Sequence, residues 1–128
     1  MTLVDTSSWI PFLRRGGDVS VKRRVRELLN DGSAVLCPVV LAELWMGAGS
    51  AKDRQEVQEL QDVLPCLPMD QQTWDLSYRL AGVCCERGTP VPASDLLIAA
   101  CAFSHGSKID AEDKHFAILE TYRALVSK

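Results

Sequence analysis

The chain has 128 residues, 47% hydrophobic and 24% charged, with a net charge of −3. These are ordinary globular values, so one domain over residues 1–128 with a real core is expected. The acidic total argues against non-specific nucleic-acid binding by the whole surface, and no apolar run has the length of a membrane span. No secretory signal is visible, and a first strand starting at residue 2 leaves no room for a targeting segment, so a cytoplasmic protein without membrane association is expected. The five cysteines are odd in number and lack metal-site spacing. They read as reduced, mostly buried small hydrophobes rather than a zinc site with His105 or His115.

In chain order, Leu3-Val4 is a short apolar run that reads as a buried strand, ending at Asp5 in a cluster of small polar residues. Ser7 to Leu13 starts a short helix with Pro11 tolerated in its first turn, and Gly16-Gly17 breaks it. Val21, Val25, Leu28 and Leu29 recur at helical spacing until Gly32. Ala34 to Cys37 reads as a second buried strand, and Pro38 opens a helix through about Ala48. Lys52 to Leu64 is a charged helix. Cys66-Leu67, between Pro65 and Pro68, suits an edge strand at most. Asp70 caps a long helix in which Trp74, Tyr78 and Ala81 share a face, widened by Leu76, Leu80 and Val83. Ala93 to about Ser104 is the most apolar helix, stopped by Gly106. Ser107 to Asp110 is a weak strand, and Asp113 begins a last helix. Alternating strands and helices predict an α/β chain: a three-layer α/β/α sandwich around a parallel sheet of about four strands.

Charge is unevenly spread. Arg14, Arg15, Lys22, Arg23, Arg24 and Arg26 stand against Asp18 alone, so residues 14 to 26 carry +5 and the remainder −8. Such a segment suits a ligand of phosphates or is a solvated helix face.

Four acids fall where parallel sheets bind ligands, at the carboxyl ends of the strands. Asp5 ends the first strand, and Asp113 follows the last. Asp95 sits in the first turn of the helix after Pro92, which begins at the same edge. Glu43 lies five residues after Pro38, roughly 8 Å along its helix, and helical side chains lean back toward the N-terminus. Asp95 and Glu43 have apolar neighbours at their own helical turns. A lone carboxylate there is costly unless paired, and two carboxylates about 4 Å apart repel by about 4 kcal/mol at a dielectric near 20. Converging acids without a basic partner call for a cation or for protons. All-oxygen ligation selects Mg²⁺ or Mn²⁺ and points to hydrolytic phosphoryl transfer.

At these residues the chain resembles a known family. Val4-Asp5-Thr6-Ser7, Leu41-Ala42-Glu43-Leu44, Pro92-Ala93-Ser94-Asp95-Leu96-Leu97-Ile98-Ala99-Ala100 and Asp113-Lys114-His115-Phe116 are similar to the ordered motifs of PIN-domain ribonucleases, in particular VapC toxins of VapBC toxin–antitoxin pairs. The resemblance implies a four-stranded parallel sheet and Mg²⁺- or Mn²⁺-dependent cleavage of RNA, commonly tRNA or ribosomal RNA. It implies a cognate VapB-like antitoxin that blocks the acidic site, and a homodimer. It makes Asp5, Glu43, Asp95 and Asp113 the catalytic, metal-binding acids, with Thr6 and Ser7 as supporting hydroxyls. The chain departs from the family where Thr or Ser often stands two residues before the last acid. Here that residue is Ala111, and Asp110 replaces the usual apolar strand residue; Asp110 and Glu112 are the neighbours that could compensate.

Each reading has a plainer counterpart. Asp5, Asp95 and Asp113 could be helix caps or dipole partners, and Glu43 could pair with a buried arginine. His115 reads as a surface helix residue and Phe116 as core. Trp9, beside the first motif, reads as core, with stacking on RNA as the alternative. The competing function is a catalytically silent interaction module that binds a protein partner through its acidic rim.

Overall fold

The computed structural model describes residues 1–127. Strand β1 (Thr2–Val4) leads into α1 (Thr6–Leu13) and α2 (Val19–Asn30). Strand β2 (Ala34–Val35) is followed by α3 (Pro38–Gly47), α4 (Ala51–Val63), α5 (Gln71–Glu86) and α6 (Ala93–Ser104). Strand β3 (Lys108–Asp110) precedes α7 (His115–Glu120) and α8 (Arg123–Val126). The sheet order is β2-β1-β3, with both pairings parallel: Leu3 is opposite Val35 on one side and Ile109 on the other. Three strands are thus hydrogen-bonded where about four were expected. The Cys66 segment contributes a single parallel bridge to Leu36, because prolines on both sides deny it a longer ladder.

The central strand is buried along its whole length, with Leu3 and Val4 fully enclosed. A parallel sheet needs cover on both faces, and helices supply it. Helix α6 does most of this work. Ile98, Ala99, Ala100, Cys101, Ala102 and Phe103 are all buried, so this helix is apolar around its circumference and sits inside the molecule. Each large side chain buried this way is worth about 1.5–3 kcal/mol. No helix among the described residues is long and apolar enough to cross a membrane.

One expectation shifts. In α5 the buried face is Thr73, Leu76, Ser77, Leu80 and Cys84, whereas Tyr78 is 64% exposed and Trp74 and Ala81 are exposed. The stripe of Trp74, Tyr78 and Ala81 lies about one residue off the buried face, to which the flanking Leu76 and Leu80 do belong. Among the cysteines, Cys37, Cys84 and Cys101 are buried, but Cys66 and Cys85 are exposed; all five are free.

The turn between α1 and α2 is tightly built. Lys22 Nζ donates to the carbonyls of Phe12, at 3.0 Å, and Arg14. A Cβ on Gly17 would fall 2.0 Å from the Pro11 carbonyl oxygen, so only glycine fits beneath this clamp.

Candidate metal centre

Asp5 leaves β1 and caps α1. Its Oδ2 accepts the Ser7 N–H at 3.0 Å and the Ser7 hydroxyl at 2.6 Å, and the residue is 4% exposed. The cap reading of Asp5 therefore holds, with its Oδ1 left without a hydrogen bond among the described residues. Glu43 lies in the second turn of α3, where Thr6 Oγ1 donates to its Oε1 at 2.8 Å. Asp95 is buried in the first turn of α6. Asp113 stands in the loop after β3, and its Oδ1 accepts the His115 N–H at 2.9 Å. Ser7 Oγ ties this loop to the first strand, accepting the N–H of Glu112 at 2.9 Å and of Asp113 at 3.3 Å.

These carboxylates feel one another. Burial pushes Glu43 above the usual carboxylate range; the Thr6 hydrogen bond pulls it back, and the charges of Asp5 and Asp95 push it further. Burial also raises Asp95, His115 lowers it through a hydrogen bond, and Asp113 and Asp5 raise it. Neither Lys nor Arg pairs with any of the four among the described residues; Arg24 goes instead to Asp110 and Glu112. Each acid keeps one oxygen without a hydrogen bond among those residues: Oδ1 of Asp5, Oε2 of Glu43, Oδ1 of Asp95 and Oδ2 of Asp113. Crowded oxygen donors of this kind, without a Lys or Arg partner, fit a hard divalent cation.

The tightest convergence is a different set. Asp95, Asp113 and His115 bring ligand atoms within 4.8 Å of one another. His115 Nδ1 lies 2.9 Å from Asp95 Oδ2 and 2.8 Å from Asp113 Oδ1. The sequence pattern places His115 on the helix surface; the loop geometry turns its ring toward Asp95 and Asp113 instead. Asp5 and Glu43 stand outside this set and act on it through charge.

Other side chains around the rim are placed differently from expectation. Asp110 does not compensate for Ala111. Arg24 Nε donates to its Oδ2 at 2.6 Å, and both Arg24 Nη2, at 3.1 Å, and Ser8 Oγ, at 2.7 Å, donate to its Oδ1. Glu112 is exposed and leans toward Arg24, at 3.6 Å. Part of the basic segment is engaged by the fold: Lys22 caps α1, Arg24 holds Asp110, and Arg26, though exposed, sits 4.9 Å over the Phe12 ring, while Arg23 is exposed. Free basic charge near the acids comes from Arg14, Arg15 and Lys52, which line a cleft of about 370 Å³ that also contains Glu43. A larger cavity, about 520 Å³, lies between α5 and the end of α6, lined by none of the four acids. Trp9 is fully buried, edge-on to Phe12 at 5.8 Å, so it offers no face to a base.

The PIN-domain family model matches residues 2–121. The chain belongs to the PIN-domain family. Among curated relatives, this PIN domain is 29% identical over 126 residues to VapC ribonuclease Mb1587 of Mycobacterium bovis, covering 93% of this chain and 91% of that one. The same values hold for ribonuclease VapC11 of Mycobacterium tuberculosis. Among solved structures, FitAcB from Neisseria gonorrhoeae aligns with a TM-score of 0.79 at 22% identity, over 94% of both chains. VapBC-1 from nontypeable Haemophilus influenzae aligns at 0.75 and 22% identity, over 94% of this chain and 92% of that one. The shared PIN fold thus extends over almost the whole chain.

Proposed function

We propose that this PIN domain is a metal-dependent endoribonuclease, the toxin of a toxin–antitoxin pair. The observation that carries the reading is the set of four acids at one sheet edge, none paired with Lys or Arg and each with an oxygen to spare. Asp5, Glu43, Asp95 and Asp113 would hold Mg²⁺ or Mn²⁺. When bound, such a cation supplies a Lewis acid for a phosphate oxygen and a water acidic enough to attack phosphorus. Thr6 and Ser7 fix the carboxylates of Glu43 and Asp5 by hydrogen bonds, which keeps their second oxygens aimed without rearrangement. Arg14, Arg15 and Lys52 offer the RNA backbone positive charge beside Glu43, the first two from the basic segment 14 to 26. The relatives named VapC and the VapBC complex among the structural neighbours support a VapB-like protein as the partner.

The test is RNA cleavage by purified protein with Mn²⁺ or Mg²⁺, comparing the wild type with Asp5→Asn. Cleavage is expected from the wild type and lost in the variant, with its fold intact by circular dichroism. Equal cleavage by both would remove Asp5 from the chemistry. A wild type that neither cleaves nor gains stability from metal would instead be a silent interaction module.

A further inference from the structure

We propose that His115 Nδ1 is a direct ligand of the ion held by Asp95 and Asp113, so that this centre prefers Mn²⁺ to Mg²⁺. The proposal rests on the metal-dependent reading above and adds a nitrogen donor to a set so far made of oxygen.

The geometry argues for it in three ways. First, Nδ1 is shared almost equally between two acids, 2.9 Å from Asp95 Oδ2 and 2.8 Å from Asp113 Oδ1. Neighbouring ligands of an octahedral ion with bonds of about 2.1 Å lie about 3.0 Å apart. Both nitrogen-to-oxygen distances match that spacing, and the ligand atoms of the three residues lie within 4.8 Å of one another. Second, the ring is not needed to orient Asp113, because the His115 backbone N–H already holds Asp113 Oδ1 at 2.9 Å. Third, Nε2 makes no hydrogen bond among the described residues, and the ring is partly exposed. Without an ion, Nδ1–H donates to these carboxylates; because Nε2 is free to carry the ring's proton instead, an ion can take the place of that proton on the Nδ1 lone pair.

The consequence is selectivity. Mg²⁺ favours oxygen donors and keeps its waters, whereas imidazole suits later, softer divalent ions. Mn²⁺ accepts both donor types. Substituting the ring should weaken Mn²⁺ more than Mg²⁺, which separates ligation from a role in packing or charge.

The experiment is pulsed electron paramagnetic resonance of Mn²⁺ bound to the full chain, with calorimetric titration of Mn²⁺ and Mg²⁺ into wild type and His115→Asn. Asparagine keeps a hydrogen-bond donor near the position of Nδ1 and removes the ring nitrogen. Expected are a ¹⁴N imidazole coupling in the wild type, its loss in His115→Asn, and a fall in Mn²⁺ affinity of about tenfold or more against little change for Mg²⁺. Bound Mn²⁺ with oxygen ligands only overturns the proposal and leaves the nuclease reading intact, and it does so on wild type alone. An unchanged Mn²⁺-to-Mg²⁺ ratio in a folded variant also overturns it. Failure of the wild type to bind either ion overturns both.

Discussion

Arg24 reaches from α2 to the end of β3 and grips Asp110 through two of its nitrogens, at 2.6 and 3.1 Å. This pair fixes the strand end from which the Asp113 loop departs. Arg24 is 40% exposed and Asp110 10% exposed, so solvent screens part of the attraction. Asp110→Asn should destabilise the fold by about 1–2 kcal/mol, less than the loss of a fully buried pair. Urea unfolding measures this. A variant as stable as the wild type would show that Ser8 alone holds the strand end.

Ser7 joins the first strand to the last loop by one hydroxyl, donating to Asp5 and accepting from the backbone of residues 112 and 113. Ser7→Ala leaves Asp5 with one fewer donor and frees the loop. RNA cleavage should fall by about tenfold to a hundredfold, with a stability loss of about 1–3 kcal/mol. Cleavage at the wild-type rate would assign the loop's position to Arg24 and Asp110.

Glu43 titrates above its ordinary value of 4.5 in the folded chain, chiefly because it is partly buried. Between that value and the raised one, the folded state binds more protons than the unfolded state. The group's contribution to stability is therefore present at low pH and is lost as pH rises through the folded value. At pH 7, well above the unfolded value, metal-free Glu43→Gln should melt higher than the wild type. The two should converge near pH 4. The same variant should gain less from Mn²⁺ than the wild type does. A lower melting temperature at pH 7 would mean that the ionised Glu43 is stabilising without metal.

Gly17 has no room for a side chain, since a Cβ would meet the Pro11 carbonyl at 2.0 Å. Gly17→Ala must displace backbone between α1 and α2 and should cost about 1–3 kcal/mol. A thermal melt of the variant reads this directly. Unchanged stability would show that the turn can open without disturbing the Lys22 clamp.

Local pattern accounted for much of the fold. Pro92 and Gly106 bracket α6, and the structure starts and ends that helix where those residues imply. Asp5 and Asp95 were placed by their position relative to strand and helix ends. What local pattern could not carry were contacts between distant segments. Arg24 and Asp110 are 86 residues apart, and nothing near either one names the other. The inward turn of His115 depends on the loop after β3, whose path is set by Ser7 about a hundred residues earlier. The exposed stripe of Trp74 and Tyr78 shows a different limit: periodicity finds a helix readily, but aromatic content does not say which face meets the core.

Whether these acids hold a divalent ion is read from the melting temperature of metal-free protein titrated with Mn²⁺. A ligand that binds only the folded state stabilises it by about 2.7 kcal/mol at a hundredfold excess over its dissociation constant. The melting temperature should climb with Mn²⁺ in the wild type and stay nearly flat in Asp95→Asn. A flat response in the wild type at millimolar Mn²⁺ and Mg²⁺, or an equal climb in both proteins, would contradict binding of the ion by these acids.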